Sequence, residues 1–117
     1  MPDLTAVRGD TNIYNVSVLK GGKQYDITGA TLWMTAKHFL EDDDSDAVFQ
    51  IQTPTDIMVY DAIHGHAQIV VQPMHTEDLT EDEVLFYDVQ LREGNGYVCT
   101  IAKGKLEVAL DVTQTTA

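Results

Sequence analysis

The 117-residue chain has a single cysteine, Cys99, so an intrachain disulfide is excluded. Cys99 lies in an apolar-alternating run, where it reads as a small buried hydrophobe. Positive charge is also scarce. Seven Lys and Arg stand against 19 Asp and Glu, a formal net charge of -12. Nucleic-acid affinity rests on cations that neutralise phosphates, so DNA and RNA are excluded as partners. An anionic membrane surface is disfavoured for the same reason. No apolar run approaches the roughly 20 residues of a membrane span. The opening MPDLTAVRGD has neither the basic n-region nor the apolar core of a signal peptide. Only two serines occur, Ser17 and Ser45, and neither sits in a G-x-S-x-G elbow. There is no glycine-rich phosphate loop. Carboxylate pairs arise by chance in so acidic a chain, and a glycosidase would also need a cleft that holds sugar and raises one carboxyl pKa. The chain does not read as an enzyme, and no cofactor is expected.

Metal chemistry lacks its ligand set as well. Zinc needs three or four converging ligands, and His38, His64, His66 and His75 form no recognisable cluster. His64 and His66 flank Gly65 and read as solvent-facing turn residues. The stretch EDDDSD (41–46) spaces Asp42, Asp44 and Asp46 as the start of a calcium loop does. It lacks the turn glycine and the closing Glu that such a loop requires. It reads as a solvated acidic loop, and no metal requirement is expected.

What is present is period two. Tyr14, Val16 and Val18 align in NIYNVSVL (12–19). Leu32, Met34 and Ala36 align in ATLWMTAK (30–37), opposite Trp33. VFQIQ (48–52) and AQIVVQ (67–72) are shorter versions. Leu85, Tyr87, Val89 and Leu91 align in VLFYDVQLR (84–92), opposite Val84 and Phe86. YVCTIA (97–102) and KLEVALDV (105–112) follow, the last aligning Leu106, Val108, Leu110 and Val112. Such alternation predicts half-buried antiparallel strands. Gly21-Gly22 and EGNG (93–96) predict hairpin turns. PMHTEDLTEDE (73–83) is the one helical candidate, a turn or two capped by Thr76. The expectation is one domain over 1–117, with an ordered core at about 7–113 and a frayed tail. Its fold class is all-β: an immunoglobulin-like antiparallel β-sandwich of seven to eight strands with at most one short helical turn, a small barrel being the alternative.

Four pieces then occur in a telling order: VRGDT, YDITGATLWMTAK, FYDVQL and KGKLEVALDVT. Together they resemble a family of small phage and prophage virion domains, similar to the N-terminal domain of the baseplate upper protein of lactococcal phages. The resemblance covers Val7 to Thr113. It implies an immunoglobulin-like sandwich that helps build the phage particle, with no enzymatic activity. Two features set this chain apart. TEDEVLFYD stands where relatives have a Pro-x-Gly turn, and Trp33 stands where they have a small polar residue.

Arg8-Gly9-Asp10 also spells the tripeptide that integrins read. Its position at a strand entrance gives it a structural explanation instead. Gly9 permits a kink, and Asp10 is suited to accept from the backbone N–H of Asn12. Asp26, Thr28 and Gly29 shape a second turn. The functional expectation is a non-catalytic virion protein: a tail or baseplate adaptor, a connector accessory or a capsid decoration protein. Its length and Met1 suggest a stand-alone component. Its partners would be other virion proteins and itself, bound through an outward face that includes Trp33, Val84 and Phe86. The alternative is a carbohydrate- or receptor-binding module that stacks sugars on Tyr25, Trp33, Tyr60, Phe86 or Tyr97.

Overall fold

The computed structural model describes residues 3–112. The chain is all-β. Its strands are β1 (Leu4–Val7), β2 (Asn12–Ser17), β3 (Leu19–Lys20), β4 (Lys23–Gln24), β5 (Thr31–Lys37), β6 (Phe49–Gln52), β7 (Ile57–Asp61), β8 (His66–Val71), β9 (Glu83–Arg92) and β10 (Val98–Ala109). One helical turn, α1 (Pro73–Thr76), and one 3-10 turn, Asp44–Asp46, interrupt them. The strands form a five-stranded sheet, β1-β10-β9-β5-β6, a three-stranded sheet, β2-β8-β7, and the small β3–β4 hairpin.

The alternation builds the core directly. Inward residues of the larger sheet (Leu32, Met34, Ala36, Leu85, Tyr87, Val89, Leu91 and Leu106) meet Val16, Ile57, Ala67, Ile69 and Val71 from the smaller one. Each fully buried Leu or Ile there contributes about 1.5–3 kcal/mol through water exclusion alone. Gly21-Gly22 turns the β3–β4 hairpin, with both residues at positive φ, and the EGNG stretch turns β9 into β10. Asp26 Oδ1 accepts from the Thr28 backbone N–H at 2.9 Å and from Thr28 Oγ1 at 2.6 Å. Gly29 closes that turn at φ +78°.

Several expectations need correction. Among the described residues ten strands form instead of seven or eight, and the first of them begins at Leu4. β1 was not expected at all, because LTAV is short. Its pairing is also parallel rather than antiparallel, Leu4 lying opposite Leu106 and Val7 opposite Ala109. VRGDT therefore does not precede the first strand. It links β1 in the larger sheet to β2 in the smaller one. β7 was hidden because Met58 and Tyr60 on its outer face are apolar and exposed, which masks period two. YVCTIA and KLEVALDV are one strand, since the ladder with β9 runs through Lys103 and Gly104, with a register shift between Thr100 and Ala102. Cys99 is exposed, not buried. β1 flanks only Leu106–Ala109 of β10, and the β9–β10 hairpin tip overhangs the core, leaving Tyr97 to Thr100 exposed. Leu110 and Val112 lie past the strand end and are exposed while Leu106 and Val108 are buried. Thr76 ends α1 instead of capping it; Gln72 is the N-cap, with Pro73 at the first helical position. The tail TQTTA lies outside the described residues.

Candidate functional site

The Arg8-Gly9-Asp10 turn is a structural joint. The Arg8 backbone N–H donates to the Ala109 carbonyl at 2.8 Å. Its guanidinium donates through Nε to Asp111 Oδ1 at 2.8 Å and through Nη1 to the Leu79 carbonyl at 2.7 Å. Gly9, at φ +78°, donates its N–H to Thr76 Oγ1 at 3.0 Å, and Thr76 is fully buried. The turn thus ties β1, the loop after α1 and the end of β10 together. The Arg8 side chain is only 13% exposed and is committed to bonds within the chain. The bond expected of Asp10 runs another way: Asn12 Nδ2 donates to the Asp10 carbonyl at 3.2 Å. Arg8 beside Asp111 holds that carboxyl below the usual carboxylate range.

The outward face of the larger sheet is chemically different from the rest. Pairing between β5 and β9 sets Lys37 opposite Phe86, Thr35 opposite Asp88, and Trp33 opposite Gln90. Pairing between β9 and β10 adds Lys103 beside Asp88, Lys105 beside Phe86 and Glu107 beside Val84. Side chains paired across strands share a face. A groove of about 620 Å³ runs over this surface, floored by Trp33 and Phe86 with the Thr35–Asp88 pair between them. Leu40 and Asp44 line one side, and Lys103 and Val98 the other.

Polar contacts hold the floor in place. Trp33 Nε1 donates to Gln52 Oε1 at 2.9 Å, and Gln50 Nε2 donates to Thr35 Oγ1 at 3.0 Å. Lys37 Nζ donates to the Asp42 carbonyl and pairs with Asp44 Oδ1, both at 2.8 Å. That pair raises the Lys37 pKa and lowers that of Asp44. Burial pushes the Asp88 carboxyl up, partly offset by Lys37.

Trp33 and Phe86 therefore come together in one groove, whereas Val84 does not join them there. β5 ends at Lys37, opposite Phe86, so Val84 has no neighbour on β5. It lines a second hollow at the β1 end of the same face, with Val7, Asp82, Glu83 and Glu107. Sequence reasoning missed the cations. Lys37, Arg92, Lys103 and Lys105, four of the chain's seven bases, stand on this one face. Period two puts Lys37, Arg92 and Lys105 outward on their own strands, but Lys103 falls between two expected strands, and only strand order shows that the four converge.

The remaining candidates disperse. His38 Nδ1 meets Glu83 Oε2 at 2.6 Å, and His64 Nδ1 meets Asp61 Oδ2 at 2.9 Å. His66 accepts or donates with Ser17 Oγ at 3.0 Å and stacks on Tyr60. His75 is mostly buried: its Nδ1 accepts from the Gln72 backbone N–H at 2.9 Å, and its ring lies against Phe49. Asp42 and Asp44 turn to Phe39 and Lys37 instead of converging. Among the described residues no three His, Cys, Asp or Glu side chains gather as metal ligands, and no helix is long and apolar enough to cross a membrane. Of the aromatics, Tyr25 donates its hydroxyl to Glu93, while Tyr60 and Tyr97 are exposed far from one another along the chain, on β7 and the β9–β10 turn. The chain matches no protein-family model, and no curated protein matches it.

Proposed function

We propose that the two sheets form an immunoglobulin-like sandwich and that the protein is a non-catalytic structural component of a phage particle, located in the virion. Its work is done by protein–protein contact through the outward face of the larger sheet. The ordered motifs VRGDT, YDITGATLWMTAK, FYDVQL and KGKLEVALDVT support the virion assignment by resemblance. The observation that carries the interface is the pairing of Trp33 and Phe86 in a groove edged by cations, on a chain of net charge -12. Tryptophan and arginine are enriched at binding hot spots, where truncation commonly costs ~2 kcal/mol or more.

The test separates folding from assembly. Trp33→Ala with Phe86→Ala should melt within a few degrees of the parent yet fail to enter particles. Mass spectrometry of purified virions should find the parent chain at many copies. Normal incorporation of the double variant sinks the interface, and absence of the parent from particles sinks the virion role.

One observation favours a second reading. Gln50, Gln52 and Gln90 surround Trp33, and a groove of about 620 Å³ falls within the ~300–1,000 Å³ range of small-ligand sites. Amides beside an indole suit sugar hydroxyls and ring faces. Sugar-dependent quenching of the single tryptophan, abolished in Trp33→Phe, would establish that reading in place of the first.

A further inference from the structure

The outward face of the larger sheet is divided into two unlike halves. One half carries Trp33 and Phe86 among the four bases Lys37, Arg92, Lys103 and Lys105, which outnumber the two acids there, Asp44 and Asp88. The other, at the β1 end, carries Val7 and Val84 beside Glu107, with Asp82 and Glu83 at the rim. Val7 is 38% exposed and Val84 49%. Each half is thus apolar at its centre, and the two are of opposite sign. We propose that this face pairs with the same face of a second copy of the chain, the basic aromatic half of each lying on the acidic apolar half of the other. The inference rests on the reading of this face as a protein-binding surface and adds the identity of the partner.

Three arguments favour a second copy. First, an isologous contact requires a self-complementary patch, in which surface i meets surface j and j meets i. A face with both halves on one sheet meets that requirement. Second, two chains of net charge -12 repel one another in most orientations. The orientation that sets cations against Glu107 and its neighbours is selected by charge, because complementary potentials fix register and suppress wrong docking. Third, the area suffices. The strands β1, β10, β9, β5 and β6 have 4, 12, 10, 7 and 4 residues, so at ~3.4 Å per residue and ~4.8 Å between strands the whole face covers roughly 600 Å². A pair of such faces buries about 1,200 Å², above the ~1,000 Å² that a specific interface needs.

Sedimentation of the whole chain tests this, with three variants whose changes lie on exposed positions of β10. The parent should be a dimer near 0.1 M salt. Its dissociation constant should rise at least tenfold toward 1 M salt, as the screening length falls from ~10 Å to ~3 Å. Lys103→Glu with Lys105→Glu should be monomeric, and so should Glu107→Lys, each melting as the parent does at a concentration low enough to keep the parent monomeric, since a dimer adds concentration-dependent stability. Mixing the two should restore a dimer containing one copy of each, because both contacts then pair opposite charges. Dimers that survive in each variant alone, or variants that fail to complement one another, would overturn the proposal. If a variant melts early, Lys105→Gln supplies a milder change, and a parent-like dimer in it with no loss of salt dependence counts against the pairing. A parent that stays monomeric at millimolar concentration also overturns it, while leaving the virion role to be decided by Trp33-dependent incorporation.

Discussion

Gly65 is the glycine at which an added Cβ would meet the closest neighbours. It sits between β7 and β8 at φ +74° and is buried under the β3–β4 hairpin. A Cβ there would lie 2.5 Å from the Tyr25 carbonyl oxygen and 2.8 Å from that of Val18. Both oxygens are backbone, so no side-chain rotation relieves the overlap. The same place is a hydrogen-bond crossing: Val18 N–H donates to the Gly65 carbonyl at 2.8 Å, and Gly65 N–H donates to Ala62 at 3.1 Å. Gly65→Ala should therefore carry two costs. Positive φ with a Cβ costs ~1–2 kcal/mol, and pushing two strands of backbone apart costs a further ~1–3 kcal/mol as an overpacking strain. Gly9→Ala is the control. It has nearly the same φ, +78°, but nothing within 4 Å of its Cβ, so it bears the first cost alone. Both substitutions reduce unfolded-state entropy equally, so that effect cancels in the comparison. Thermal melts followed by circular dichroism should show Gly65→Ala lowering Tm by about 10 °C or more, at ~4–8 °C per kcal/mol for a domain near this size. Gly9→Ala should lower it by about half as much. Equal losses, or a smaller loss at Gly65, would refute the argument that close backbone contact rather than φ dominates there.

Two further outcomes follow from the joint around Arg8. Thr76→Val keeps the volume but removes the hydroxyl that accepts from Gly9 N–H, so it should cost about 1–3 kcal/mol in chemical denaturation; a neutral change would show that water or another acceptor replaces it. Arg8→Gln should lower stability at pH 7 by about 1–2 kcal/mol through loss of the charged hydrogen bond to the Leu79 carbonyl. Asp111 is held below its ordinary pKa chiefly by its hydrogen bond to Arg8, so its contribution is present above the unfolded value of about 3.9 and disappears as pH falls through the lower folded value. The gap between parent and Arg8→Gln should therefore narrow below about pH 4; a gap that widens there would reverse the assignment.

Local pattern explains why much of this fold could be read in advance. Leu85, Tyr87, Val89 and Leu91 all face inward, as do Leu32, Met34 and Ala36, because burial on one face forces period two. Turn chemistry was equally local, since Asp26 reaches only as far as Thr28. The failures share a long-range cause. β1 exists because Leu4 meets Leu106, a partner at the far end of the chain. Arg8 is committed because Leu79 and Asp111 come to it. Cys99 faces Leu91 across the ladder, yet Leu91 is buried and Cys99 is not, because no described strand pairs with that part of β10 on its other side. The candidate site had the same limit. Trp33 and Phe86 were visible as outward residues, but their shared groove depends on β5 lying beside β9, and the separation of Val84 depends on where β5 stops.

That division between local and long-range determination also separates stability from assembly. Core strength comes from the inward parity of each strand, and the outward parity is left to answer to something else. On the smaller sheet the outward positions expose Ile13, Met58 and Tyr60, but its strands carry no Lys or Arg. On the larger one they gather four of seven bases and the only tryptophan of an acidic chain. Folding accounts for part of that placement, since Lys37 pairs with Asp44 and Lys103 lies opposite Asp88. Lys37 on β5 and Lys105 on β10 flank Phe86 from the two sides of β9, too far apart to act on one another as a cross-strand pair, and do little for the sheet. An apolar ring between two cations is likewise worth little to a solvated sheet and a good deal to an interface from which water is expelled, where the same charges act at lower dielectric. On the proposed reading of this face as a binding surface, substitutions on it should weaken association while leaving the melting of the isolated chain in place.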